Sequence, residues 1–141
     1  MLCSLWGCPG TLDEQLFALQ AGTGVFDCVD FSENLIAGRC VTACHEAGGQ
    51  YPSLNLQGND YAAALIDSPT NKSECDPTLR LINSENPVES LMFTKVTADF
   101  PCGRRMPFVG RTLDEAEADC MLEWVESVLE NAGYTTDPAS D

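Results

Sequence analysis

The most informative segment of this chain is Cys40-Val41-Thr42-Ala43-Cys44-His45. It places two thiols four positions apart and an imidazole directly after the second thiol. Residues three or four apart lie on the same face of a helix, so both sulfurs can face one partner group. The pair Met106-Pro107, much later in the chain, is the second informative element.

Two thiols followed by a histidine can fasten one heme covalently and ligate its iron, and a methionine before a proline can occupy the far side of the iron. The common attachment motif has two residues between the cysteines, whereas this chain has three. Candidate cofactor-binding residues are therefore Cys40, Cys44, His45 and Met106, with the last two as iron ligands. Together they point to a small electron-carrying protein.

Two other interpretations of the motif stay open at this point. A disulfide between Cys40 and Cys44 needs Cβ atoms about 3.5–4.5 Å apart, closer than the roughly 5–6 Å of helical neighbours. It would require a turn, which Gly48-Gly49 could permit. Zinc is less well supported, since Cys44 and His45 point about 100° apart on a helix and no second ligand pair follows.

Composition restricts the function classes. The chain has 141 residues, enough for one domain with its own core. Its 22 acidic and 7 basic residues give a net charge of −15, which excludes nucleic acid and favours a basic partner protein. No apolar run approaches the roughly 18 residues of a membrane span, so we expect no membrane insertion. Neither a hydrolytic nucleophile motif nor a second histidine is present, so no enzyme is predicted.

Cysteine content indicates the compartment. Eight cysteines without repeated zinc-type pairs are typical of an oxidising environment, so we expect a periplasmic or extracellular protein. If Cys40 and Cys44 hold heme, six cysteines remain, an even number that permits three disulfides.

Helix signals divide the chain. Residues 1–28 read as an extension tied by disulfides, with Thr11 and Glu14 as a capping box. A short helix is predicted from Ser32 or Glu33, with Ser32 as N-cap, running into the cysteine motif. Further helix-like pieces are Asp60 to Asp67 and Pro87 to Val96, separated by long proline-punctuated loops.

The clearest element is the last helix. Thr112 and Glu115 form the expected capping box, and Gly133 stands where the helix should end. The predicted apolar stripe consists of Leu113, Ala116, Cys120, Trp124, Val128 and Ala132, widened by Met121, Leu122, Val125 and Leu129. Residues 134–141 read as a polar, flexible tail.

The whole arrangement has a family likeness. Its elements, in chain order, are Val29-Asp30-Phe31 with Leu35-Ile36, the cysteine motif, Leu54-Asn55-Leu56, Cys75, Asn86-Pro87-Val88-Glu89-Ser90-Leu91 with Lys95, Cys102-Gly103-Arg104-Arg105-Met106-Pro107, and Leu113, Glu117, Cys120 and Trp124-Val125. Over residues 29–133 this resembles the small, single-heme c-type cytochrome domains common in environmental Gram-negative bacteria.

The resemblance implies a mainly α fold, with N- and C-terminal helices packed around one covalent heme c. It implies thioethers at Cys40 and Cys44, His45 as proximal ligand and Met106 as distal ligand. It also implies a Cys75–Cys102 disulfide and a terminal helix that packs through Trp124 on the N-terminal helix. By count alone, an N-terminal cysteine would then pair with Cys120.

Electron transfer is the function that this resemblance implies, with a redox partner protein of basic surface. The alternative is a heme-free, disulfide-stapled extracellular interaction module, or a subunit of a larger assembly. That alternative accounts for the cysteines equally well but leaves Met106-Pro107 and the placement of His45 unexplained.

Overall fold

A computed structural model describes residues 28–42, 44–58 and 60–135 of the chain. The helices are α1 (Cys28–Leu35), α2 (Tyr61–Leu65), α3 (Leu91–Thr94) and α4 (Glu115–Asn131). A π-helical segment, Ile36–Val41, continues α1, and a 3₁₀ turn, Pro87–Glu89, precedes α3. Over these residues the chain is helical and forms isolated bridges but no β-strand. The predicted capping box at Thr11 and the tail beyond residue 135 lie outside the described residues.

The two longer helices, α1 and α4, pack against each other. A disulfide joins Cys28 to Cys120, and the Ser32 hydroxyl donates a 2.9 Å hydrogen bond to the Cys120 carbonyl. The predicted packing of the terminal helix on the N-terminal helix is therefore confirmed, and so is the pairing of an N-terminal cysteine with Cys120.

The prediction that Ser32 caps this helix is wrong. The helix begins at Cys28, which places Ser32 in its interior, where the side chain is fully buried. A serine normally disfavours a helix interior because its hydroxyl competes for backbone groups nearby. Here the hydroxyl is satisfied by a carbonyl of α4, 88 residues away in sequence, so the competition does not arise.

The capping box of α4 also differs from the predicted one. Asp114, not Thr112, is the N-cap: its carboxylate accepts from the Glu117 amide at 2.9 Å, and the Glu117 carboxylate accepts from the Asp114 amide at 3.0 Å. This start places Leu113 just before the cap and Ala118 four residues into the helix, the two positions of a hydrophobic staple. Both are buried, which explains the choice.

The buried face of α4 is rotated relative to the predicted stripe. Buried positions are Ala118, Cys120, Met121, Trp124, Val125 and Leu129. Ala116 and Ala132, which were expected in the stripe, are exposed. The core that this face completes also contains Phe31, Leu35, Ile36, Leu56, Leu65, Ile82, Val96 and Leu113. The helix is apolar over a wide arc, so periodicity alone did not fix which side faces α1 and α3.

The segment between α2 and α4 is mostly irregular, as predicted, and contains only short helical pieces. Cys75 and Cys102 form a disulfide, so this implied pairing is confirmed. The backbone of α3 is held to the preceding segment, where the amides of Leu91 and Met92 donate to the carbonyls of Arg80 and Leu81 at 2.9 and 3.0 Å. This arrangement fixes the direction in which the chain leaves α3 toward Met106.

The two disulfides should differ in their contribution to stability. Cys28–Cys120 spans 92 residues and Cys75–Cys102 spans 27. In the chain-entropy description, closing the longer loop stabilises by about 4–5 kcal/mol and closing the shorter by about 3–4 kcal/mol. We expect the paired alanine variant of Cys28 and Cys120 to lose about 1 kcal/mol more free energy of unfolding than the paired variant of Cys75 and Cys102. Urea denaturation measures both, and the reverse order would contradict this account.

Candidate functional site

The cysteine motif begins in the π-helical segment that contains Cys40 and ends at Val41. The His45 amide donates to the Cys40 carbonyl at 2.9 Å, a bond that spans five residues, and to the Val41 carbonyl at 3.0 Å. A π-type turn of this kind holds one residue more than an α-turn, and such turns are frequent at functional sites. The backbone from Cys40 to His45 is thus closed by a wider turn than an α-helix would make.

Among the described cysteines, Cys40 and Cys44 are the two that form no disulfide, and both residues are of intermediate exposure. The alternative disulfide between them does not form. Burial raises the pKa of the Cys40 thiol to about 11; the neighbouring Cys44 adds to this shift, whereas the positive charge of Arg39 opposes it. The motif therefore presents two reduced thiols, while the other four cysteines of the described region are paired.

The His45 ring is oriented by the backbone of a neighbouring loop. Its Nδ1 lies 3.1 Å from the Leu54 carbonyl oxygen, which can only accept, so Nδ1 carries the proton. Burial lowers the pKa of His45, partly offset by hydrogen bonds with Leu54 and Tyr51. In the neutral ring with its proton on Nδ1, the lone pair lies on Nε2.

The same loop is fastened to the motif by its own amides. Tyr51 donates to the Cys44 carbonyl at 2.8 Å, and Leu56 donates to the His45 carbonyl at 2.9 Å. The Tyr51 ring lies 5.7 Å from the His45 ring, measured between centroids. These contacts hold the Leu54 carbonyl in place, so the orientation of the histidine depends on the loop as a whole.

Met106 is partly buried and packs against the core. Its amide donates to the Lys95 carbonyl at 2.7 Å. The preceding Arg105 donates through Nε to the Val96 carbonyl at 2.9 Å and through Nη2 to the Leu113 carbonyl at 2.7 Å. The methionine is thus held between the end of α3 and the segment that leads into α4.

A second arginine connects the two parts of the candidate site. Arg39 directly precedes Cys40, and its Nη2 donates to the carbonyls of Arg111 at 2.7 Å and Val109 at 3.3 Å. Arg111 in turn forms an ion pair with Glu117, with Nη1 and Oε2 2.7 Å apart. The structure therefore brings Cys40, Cys44 and His45 into one turn and ties the loop that follows Met106 to that turn.

Sequence reasoning did not identify the arginines or the histidine's partner. The Leu54 carbonyl is a backbone group, and every residue has one, so its role cannot be inferred from residue type. A signal for the arginines was present, since two of only seven basic residues stand directly before Cys40 and Met106.

A cavity of about 730 Å³ lies between α1, α2 and the last two turns of α4. Its lining includes Val29, Glu33 and Ala37, which recur every four residues, and Val128 and Ala132 from the predicted stripe of α4. The rings of Tyr61 and Trp124 stack beside it, with centroids 6.3 Å apart. Val41 of the cysteine motif also lines this cavity, whereas Cys40, Cys44, His45 and Met106 do not.

Two further findings concern metals and membranes. Within residues 28–135, apart from 43 and 59, no group of three or more His, Cys, Asp or Glu side chains is arranged to hold a metal ion. Of the helices described above, none combines the length and apolarity that crossing a membrane requires.

Comparison with known proteins adds no family assignment. No protein-family model matches this chain, and neither a curated protein nor a solved structure shows significant similarity to it.

The ion pair that supports the loop should make stability depend on pH in the acidic range. Hydrogen bonding to Arg111 lowers the pKa of Glu117 below its usual 4.5. A carboxylate with a lowered folded-state pKa stabilises fully above its unfolded pKa, and this contribution is lost as pH falls through the folded value. We expect Glu117→Gln to lose about 1 kcal/mol of unfolding free energy at neutral pH, and the difference from the parent chain to shrink below about pH 4.5.

Glu115→Gln is the matched control. Glu115 is an exposed acid of the same helical turn, and it takes part in neither the capping box nor the ion pair with Arg111. Denaturation at a series of pH values compares the variants. Parallel curves for Glu117→Gln and Glu115→Gln would show that the ion pair is not the source of the pH dependence.

Proposed function

We propose that this chain is a single-heme electron-transfer protein, with heme c attached to Cys40 and Cys44 and with His45 and Met106 as iron ligands. The observation that carries the proposal is the contact between His45 Nδ1 and the Leu54 carbonyl. Metal-ligating histidines almost always donate their other ring N–H to such an acceptor, which fixes the tautomer and raises the basicity of the ligating nitrogen. His45 has this arrangement.

The chemistry of the two thiols fits covalent attachment. Each S–H can add across one vinyl group, forming a carbon–sulfur bond while the thiol hydrogen passes to the second vinyl carbon. This addition requires both cysteines to be reduced, and neither Cys40 nor Cys44 belongs to the disulfides Cys28–Cys120 and Cys75–Cys102. In an oxidising compartment, the pairing of Cys28 with Cys120 and of Cys75 with Cys102 leaves Cys40 and Cys44 to react with heme.

The segments that carry His45 and Met106 are held in place, which suits electron transfer better than catalysis of bond making or breaking. A bound heme supplies one-electron oxidation and reduction at its iron. His45 is oriented by Leu54 and Met106 is anchored by its amide, so this chain offers one donor from each of two held segments. With His45 and Met106 both holding the iron, no position would be left for a substrate, and the protein would carry electrons between partners.

The proposed compartment and partner follow from charge and redox state. Two disulfides are compatible with a protein of an oxidising environment, such as the periplasm or the extracellular space. A net charge of −15 favours association with a redox protein of basic surface, because complementary charge raises the rate of encounter.

Covalent attachment is the direct test of this function. We expect the chain, produced in a host with a c-type heme maturation system, to gain the mass of one heme and to keep it in denaturing solvent. Because either cysteine can form one bond, Cys44→Ser should still retain heme, whereas replacing Cys40 and Cys44 together should abolish retention. Intact mass spectrometry under denaturing conditions measures this.

The paired serine variant of Cys75 and Cys102 is the matched control, since it also removes two cysteines but leaves the motif intact. It should retain heme at the level of the parent chain. A parent chain that is folded, has both disulfides and carries no covalent heme would refute the proposal and favour the heme-free interaction module.

Met106 should be the second axial ligand. Replacing it by alanine removes the thioether that raises the reduction potential and leaves one iron position open. We therefore expect Met106→Ala to have a lower midpoint potential than the parent and to bind carbon monoxide when reduced. Redox titration and absorption spectroscopy of the heme-loaded protein measure these changes.

Met92→Ala is the control for this substitution. Met92 is also a partly buried methionine packed against the core, but it lies within α3 rather than in a loop. It should leave the potential and the carbon monoxide response unchanged. If Met92→Ala gives both effects and Met106→Ala gives neither, the ligand is Met92.

A further inference from the structure

The contacts of Arg39 extend from the cysteine motif to the other half of the site. The residue lies in the π-helical segment immediately before Cys40. Its Nη2 donates to two carbonyls, those of Val109 and Arg111, which are 70 and 72 residues away in sequence. Both bonds are exposed, but their charged donor makes them stronger than neutral ones, so this single side chain connects two distant segments.

The loop backbone lies directly against this guanidinium. Gly110, between the two accepting residues, has a φ of +83°, in the left-handed region that favours glycine. A Cβ atom at this position would stand 2.9 Å from Arg39 Nη2, too close for an ordinary contact. The backbone conformation favours glycine at this position, and a larger residue there would also have to displace the end of the Arg39 side chain.

The other terminal nitrogen of Arg39, Nη1, is placed less favourably than Nη2. Nη1 is buried and has no hydrogen-bond partner in the described part of the chain. An unpaired buried donor is unfavourable, so the contacts made by Nη2 must outweigh it. A substitution that removes the guanidinium also removes this unfavourable buried group. We therefore expect it to change the free energy of global unfolding little and to favour local opening of the loop.

We propose that Arg39 is a positioning residue that latches the loop of residues 106–111 onto the cysteine motif and thereby keeps Met106 in place. Arg105 anchors the same loop from the opposite end, through the carbonyls of Val96 and Leu113. Met106 lies between these two anchors. The role toward iron ligation rests on the proposed heme function, whereas the latch itself does not.

Amide hydrogen exchange tests the latch independently of heme. The Met106 amide is protected by its bond to the Lys95 carbonyl, so its exchange reports opening of the loop. In the full chain with both disulfides formed, Arg39→Gln should accelerate exchange at Met106 by about tenfold or more. Exchange at Leu129, which is fully buried within α4, should change little, because it reports global unfolding.

Arg80→Gln is the matched control. Arg80 also donates its guanidinium to backbone carbonyls, those of Pro77, Thr78 and Leu79, but all three are local. It should leave exchange at Met106 unchanged. Arg39→Lys should restore part of the protection, since an ammonium can still donate to one of the two carbonyls.

Heme-loaded protein provides the second readout. If the latch positions Met106, Arg39→Gln should weaken the absorption band of the methionine–iron bond in the oxidised protein and permit binding of carbon monoxide in the reduced protein, while covalent heme is retained. Arg39→Lys should recover part of the band. A merely structural role would leave the band unchanged.

The outcomes separate the two proposals. Unchanged exchange at Met106 in Arg39→Gln overturns the latch, whether or not heme is bound. Faster exchange with an unaltered methionine–iron band shows that the loop is latched but that Arg39 does not position the ligand, which also overturns the inference. Faster exchange in a chain that never acquires covalent heme supports the latch and refutes the heme function.

Discussion

The disulfide between Cys28 and Cys120 joins the first turn of α1 to α4, and the rest of the described structure is arranged around this connection. The buried hydroxyl of Ser32 bonds to the Cys120 carbonyl beside it, so the two helices are joined covalently and by a polar contact in the core. The π-helical segment continues directly from α1. The position of the cysteine motif relative to α4 is therefore determined by these helix contacts and does not depend on the long loops.

The loops between these helices are held by backbone hydrogen bonds, by the Cys75–Cys102 disulfide and by side chains that donate to backbone carbonyls. Lys95 donates to Cys102, Arg105 to Val96 and Leu113, and Arg39 to Val109 and Arg111. These connections take the place of a sheet or longer helices between residues 66 and 114. The chain has a net charge of −15 and only 7 basic residues, and three of these, Arg39, Lys95 and Arg105, hold the loop before α4 through backbone carbonyls.

Much of this structure could be predicted from local signals, and the remainder depends on distant contacts. The terminal helix was evident from its periodicity, but Thr-Leu-Asp-Glu-Ala-Glu contains two overlapping capping patterns, and only the burial of Leu113 selects Asp114. The cysteine motif is contiguous, so its residues were identifiable directly. The acceptor for His45 is a backbone oxygen, and the acceptors for Arg39 lie more than 65 residues away, so no local pattern could reveal them.

The wider turn between Cys40 and His45 has a consequence for recognising sites of this kind in other chains. A helix that ends in a π-type turn can take up one inserted residue without shifting the face that the preceding turns present to the core. Cysteine spacing can then vary while the histidine keeps its carbonyl partner. A sequence pattern that fixes two residues between the cysteines would not match this chain, whereas a comparison of structures that looks for a histidine bonded to a loop carbonyl would find it.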